Sequence, residues 1–318
     1  MSALRQGYAL GLTAYGLWGL FPLFFKLLAA LPATEILFQR ILWSALFSAL
    51  LLLVWRHRGW WAELRAHPRR LLWLALSGAL VACNWLVYIW AVNNAHVVEA
   101  SLGYYINPLV NILLALVILG ERLRPLQWIA VGLAVLGVAQ QLWTLGQLPW
   151  VSLALALTFA FYGLVRRQTP VAALPGMVVE SWMLVPIALV ALPLLTPGVS
   201  LQPETWQSSL GLLIVLVGPV TLIPLLCFNA AARKLPYSTL GFLQYLAPTL
   251  VLIQAVWLYD EPFPRERLFA FICIWTGLAV FSFDLWRASR KLRACSKARE
   301  LETNKAKGPE EAEFTRGK

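Results

Sequence analysis

Tyr104, Asn107 and Asn111 fall at i, i+3 and i+7 of an apolar run and therefore share one face of a helix. Amide donors and acceptors beside an aromatic ring suit a small polar or aromatic solute, and such a face is too polar for lipid. Asn84 and Tyr88 repeat the pattern at i, i+4, with Trp85 beside them. Trp18, Tyr105, Gln244 and Tyr245 complete the residues expected along a substrate pathway. The competing reading of these polar faces is interhelical hydrogen bonding with no solute involved.

Ionisable side chains inside apolar runs cost about 2.5 to 3.5 kcal/mol each at a membrane centre and therefore require partners. Lys26, Glu35, Arg40 and Glu99 are expected in one half of the membrane, as a mutually neutralising gate or as the frame of an anionic or zwitterionic ligand. Glu180 aligns with Glu35 at an offset of 145 and is expected towards the opposite side. A structural charge network and a proton relay both fit these five residues. Pro108 and Pro248 each lie about 16 Å along their runs, near a bilayer midplane, and release the carbonyls of Tyr104 and Gln244. Pro219 and Pro224 are expected to bend a further run, and Glu121 and Glu261 to end two others. His57, His67 and His96 stand alone, and Cys83, Cys227, Cys273 and Cys295 are scattered, so neither a metal nor a cofactor is implied. Gly-x-x-x-x-Gly-Lys-Ser/Thr, Gly-x-Ser-x-Gly and His-Glu-x-x-His are all absent from the sequence, which argues against an ATP-driven pump and against an enzyme.

The elements that position these residues follow from composition. A chain that is 60% hydrophobic and 13% charged, with a mean hydropathy of +0.69, needs lipid as solvent. Ten runs of about 20 apolar residues predict ten helices, since barrel strands would alternate over about ten residues. With a cytoplasmic N-terminus, 22 of the 26 Lys and Arg residues fall inside and only Arg265 and Arg267 outside, so both termini are expected in the cytoplasm. The net charge of +11 then marks anionic lipid at the inner loops and tail, not nucleic acid. Trp60 and Trp61 are expected in the headgroup layer, and the polar tail from 289 to 318 is expected to be disordered.

Sliding the chain against itself by 140 residues lays Tyr105, Pro108, Glu121 and Gly137 onto Tyr245, Pro248, Glu261 and Gly277. Each copy holds five runs, and five is odd, so the second copy enters the membrane from the other side. The expected architecture is an all-α integral membrane protein of two inverted five-helix repeats, 1–145 and 146–288, as in transporters that expose one central site alternately.

The run from Glu99 through Ser101, Gly103, Tyr104, Tyr105 and Asn107 to Pro108, with Asn84, Trp85, Trp90, Asn93 and Glu121, closely resembles the RarD group of EamA-type permeases. Matches at Trp18, Lys26, Glu35, Arg40, Gly218, Pro219, Thr221, Pro224, Gln244 and Pro248 extend the resemblance over nearly all but the tail. It implies the drug/metabolite transporter superfamily and a bacterial inner-membrane location. The RarD name is attached to chloramphenicol sensitivity. It further implies a secondary transporter that exports a small metabolite, amino acid-like compound or drug. A lipid or amphiphile flippase is the alternative, and a membrane-embedded enzyme a weaker one.

Overall fold

The computed structural model describes residues 3–55, 59–94, 96–146, 149–258 and 265–306 of the chain. The described residues are helical throughout apart from short connections: α1 (Ala3–Gly19), α2 (Phe21–Leu27), α3 (Ala33–Trp55), α4 (Trp60–Ala66), α5 (Arg69–Asn93), α6 (Val97–Val117), α7 (Pro125–Leu145), α8 (Trp150–Gln168) and α9 (Ala173–Leu195). A 3₁₀ turn (Val199–Leu201) precedes α10 (Pro203–Trp206), α11 (Ser209–Ala232), α12 (Tyr237–Gln244), α13 (Leu246–Leu258) and α14 (Arg265–Ala306).

Nine spans among the described residues are long and apolar enough to cross a membrane, α1 with α2 and α12 with α13 each counting as one. The chain is a multi-pass membrane protein. α8, the sixth of the expected ten, is not among the nine and carries Arg166 and Arg167 in its last turn. Local chemistry sets the boundaries. Pro125 opens α7 at a position where no N–H is needed, and the Gln127 side chain accepts from the Arg124 N–H at 3.0 Å. Gly146 then ends α7 at φ +68°, a conformation that costs a side-chain-bearing residue about 1 kcal/mol or more.

The prolines act unequally. The helix runs on through Pro108 in α6 and through Pro219 and Pro224 in α11, whereas the Pro248 span breaks at Tyr245, between α12 and α13. Thr249 N–H reaches the Tyr245 carbonyl at 3.3 Å, restarting the ladder beyond the break. α14 is assigned as helical to Ala306, past the last apolar run. Residues 289–306 are rich in Ala, Leu, Lys, Arg and Glu, all strong helix formers, and Gly308 and Pro309 follow them. Glu261, His57 and residues 307–318 lie outside the described residues.

α7 packs on α14, α6 on α8 and α12, α3 on α9 and α11, α5 on α8 and α9, and α1 on α11 and α13. At the first of these interfaces a Cβ on Gly137 would lie 2.9 Å from the Ala270 carbonyl, and one on Gly277 3.0 Å from that of Ala130. Residue 130 faces 277 while 137 faces 270, so α7 and α14 run antiparallel. Both glycines are there because the backbones touch. The helix pair α4 and α5 is tied at its end by Leu64, which is buried with Leu74, Val171 and Val179.

Candidate substrate site

The two polar faces singled out by spacing turn out to be joined to neighbouring helices. Asn107 donates to the Ala156 carbonyl at 3.0 Å, and Asn111 donates to Asn107 Oδ1 at 3.1 Å and to Gln244 Oε1 at 2.8 Å. Asn84 donates to the Leu155 carbonyl at 2.9 Å and to Thr158 Oγ1 at 3.0 Å. The Tyr245 hydroxyl reaches the Tyr105 carbonyl at 3.3 Å, and both side chains are buried. A Cβ on Gly241 would sit 2.9 Å from the Pro108 carbonyl, so α6 and α12 meet without room for a solute. The pathway expected along this line is therefore a packed seam. Amides in a lipid-facing helix bundle satisfy one another where helices touch.

The residues of the expected four-charge cluster make the following contacts. The fully buried Glu35 carboxylate accepts from the Val199 N–H at 2.9 Å and the Ser200 N–H at 2.7 Å, pinning the 196–208 connection to the start of α3. Glu99 engages His96 Nδ1 at 2.7 Å. Glu180 takes the Arg166 guanidinium at 3.2 Å and accepts from the Ser77 hydroxyl. Lys26 is exposed in the last turn of α2. Carboxylates at the starts of helices and 3₁₀ turns are used by nearby N–H groups before they can pair with a distant cation.

What remains is Arg40. Its Nε donates to Thr221 Oγ1 at 3.2 Å, and its guanidinium carbon lies 4.6 Å from the centre of the Trp85 ring and 5.5 Å from that of Phe25. Among the described residues no carboxylate is within salt-bridge distance of it. Tyr88 and Tyr104, with ring centres 6.4 Å apart, are near enough to interact with the charge. Tyr104 stays 49% exposed although it stands about 10 Å in from the start of α6. Thr221 lies at the middle of α11, eleven residues from the Ala232 end. Arg40, Trp85, Tyr88 and Tyr104 thus surround an open polar spot deep in the bundle. Phe25 and Thr221 join them from α2 and α11, which no spacing rule linked to Arg40.

The opposite end of the bundle is closed. Tyr15, Tyr162, Phe228 and Tyr237 are buried there, and Trp18 packs 5.7 Å from Phe228. Tyr237 donates to the Ala160 carbonyl at 2.7 Å and Asn229 to the Tyr162 hydroxyl at 2.8 Å. Glu121 does more than end a span: it accepts from the Tyr237 N–H at 2.6 Å, the Ser238 N–H at 3.1 Å and the Ser238 hydroxyl at 2.6 Å, capping α12 from the other half of the chain. Arg167 donates to the Ala232 carbonyl at 2.7 Å and to that of Leu235, and lies 3.6 Å from Glu121.

An all-helical membrane bundle of two similar halves, closed at one end and holding an open polar spot within, has the form of a solute carrier. The chain belongs to the EamA-like transporter family, whose model matches residues 5–140 and again 148–283. An uncharacterized transporter of Pseudomonas aeruginosa is 63% identical over 289 residues, covering 91% of this chain and 97% of that one. Protein RarD of Escherichia coli is 46% identical, covering 90% and 97%. The chloramphenicol-sensitive protein RarD of Pseudomonas aeruginosa is 34% identical, covering 90% and 96%. These relatives are consistent with a RarD-type EamA permease. A solved crystal structure with 22% identity covers 88% of this chain and 97% of its own at a TM-score of 0.67, which shows the fold alone.

Proposed function

We propose that this protein is a secondary transporter of the drug/metabolite superfamily that exports a small solute from the bacterial cytoplasm by alternating access. The carrying observation is the cluster of Arg40, Tyr88 and the half-exposed Tyr104 towards one end, while aromatic packing and the Glu121 cap close the other. Family membership and the names of the relatives support transport over catalysis.

The finer architecture is ten spans in two inverted repeats, 1–145 and 146–288, with α8 as the sixth span. The crossed contacts of Gly137 with Ala270 and Gly277 with Ala130 support it, because residues 140 apart exchange places across antiparallel helices, as a two-fold axis in the membrane plane requires. The packing pairs also exchange: α6 on α8 answers α1 on α13, and α5 on α8 answers α1 on α11. The excess of basic residues supports a cytoplasmic side for both termini and the closed end. Cargo then binds beside Arg40, and parting of the Glu121 and α12 contact opens the cytoplasmic side.

Flux of a panel of labelled metabolites and drugs into proteoliposomes tests this reading. Saturable uptake above that of empty liposomes is expected for at least one class. Uptake equal to that of empty liposomes across the panel, with folded protein, would refute it.

A further inference from the structure

We infer that Arg40 is the anchor for a carboxylate-type anionic group on a planar or aromatic solute. The inference rests on the transporter reading and narrows its cargo. An unpaired cation between membrane helices is costly unless it faces water or a partner. The Nε–H is spent on Thr221, but among the described residues neither Nη nitrogen has a protein acceptor and neither is sealed from solvent. The two Nη nitrogens carry four N–H donors in one plane, the fork that matches two carboxylate oxygens. Trp85 and Phe25 hold the guanidinium flat by their ring faces. Tyr88 and Tyr104 beyond it offer aromatic walls for the rest of the solute.

Repeat symmetry strengthens the case. Glu35 aligns with Glu180 at an offset of 145, and the same offset pairs Arg40 with Val185. The carboxylate position is thus repeated in both halves, while the Arg40 position is cationic in the first half alone. Glu35 is held by backbone N–H groups, and one oxygen of Glu99 is held by His96. The charge that the site itself presents is the Arg40 cation, which calls for an anionic group on the solute.

The test uses Tyr104→Cys in a cysteine-free background, reconstituted as the full chain. Reaction rates are compared for two methanethiosulfonates of similar size, one bearing a sulfonate and one a trimethylammonium group. Relative to a free thiol, the sulfonate reagent should be favoured by about tenfold, the order of effect of one nearby charge in a partly hydrated cavity. Arg40→Lys should keep that preference and Arg40→Gln should lose it. With Arg40 intact, benzoate should slow the labelling, whereas neutral benzamide should not. Equal rates for the two reagents, or protection by benzamide as strong as by benzoate, would overturn the anion site even if Arg40→Gln fails to fold. Benzoate flux is measured separately. Charge preference with no flux of benzoate or of any solute in the panel keeps the anion site and removes the transporter reading, while flux of neutral solutes without charge preference does the reverse.

Discussion

Arg40 and Arg166 both place a guanidinium between helices, with opposite surroundings. Arg166 is 1% exposed and paired with Glu180 at 3.2 Å, while Arg40 has only a hydroxyl and two rings. Breaking the closed pair leaves a charge stranded, so Glu180→Gln should lower stability by about 3 to 5 kcal/mol. The double change Arg166→Met with Glu180→Leu should recover most of that, as read from thermal unfolding in detergent; a double variant as unstable as Glu180→Gln would contradict the pairing. The sequence made the charges legible but not their partners. Arg166 reads as one more basic residue of an inner connection, and only the fold carries its head back to Glu180. Arg40 was visible as an intramembrane cation, yet Thr221 lies 181 residues away and no periodicity joins them.

At the scale of the element, i, i+3 and i+7 spacing located a polar face on α6 correctly and could not say what it faces. A stripe of amides reads identically whether it lines a cavity or a neighbouring helix. Here α8 and α12 cover it, so Asn107→Ala and Asn111→Ala should each cost roughly 0.6 to 1.7 kcal/mol of stability and leave apparent substrate affinity unchanged. Tyr104→Ala should alter affinity with little loss of stability, and the opposite pattern would return the pathway to the seam. The Glu121 cap on α12 makes a different prediction. Glu121→Ala removes the acceptor of two N–H groups at a helix start, costing about 1 to 2 kcal/mol. It should also raise labelling of a cysteine at Phe228 from the cytoplasmic side, and unchanged labelling would separate the cap from closure of that end.

For the whole molecule, the internal offset of 140 anticipated two similar halves, and the family model matches each of them. Helix count was less legible at α8, whose closing Arg166 and Arg167 dilute its apolar run, and the end of α14 was less legible because strong helix formers follow its apolar stretch. Two-fold exchange predicts matched effects at matched glycines. Gly137→Ala and Gly277→Ala should each destabilise by about 1 to 3 kcal/mol, because each added methyl meets a backbone carbonyl. Gly132→Ala on the same α7 meets nothing within 4 Å and should be tolerated.

The central claim is that one interior site faces the two sides of the membrane in turn, and two-sided labelling of Tyr104→Cys tests it without knowledge of the cargo. An impermeant thiol reagent is applied to right-side-out and to inside-out vesicles of the cysteine-free background. Tyr104→Cys should react from both sides. When Glu121→Cys and Ser238→Cys are first joined by a short cross-linker, reaction from the cytoplasmic side alone should disappear. Reaction from one side only, whether or not the cross-link is present, would mean a fixed crevice and contradict alternating access.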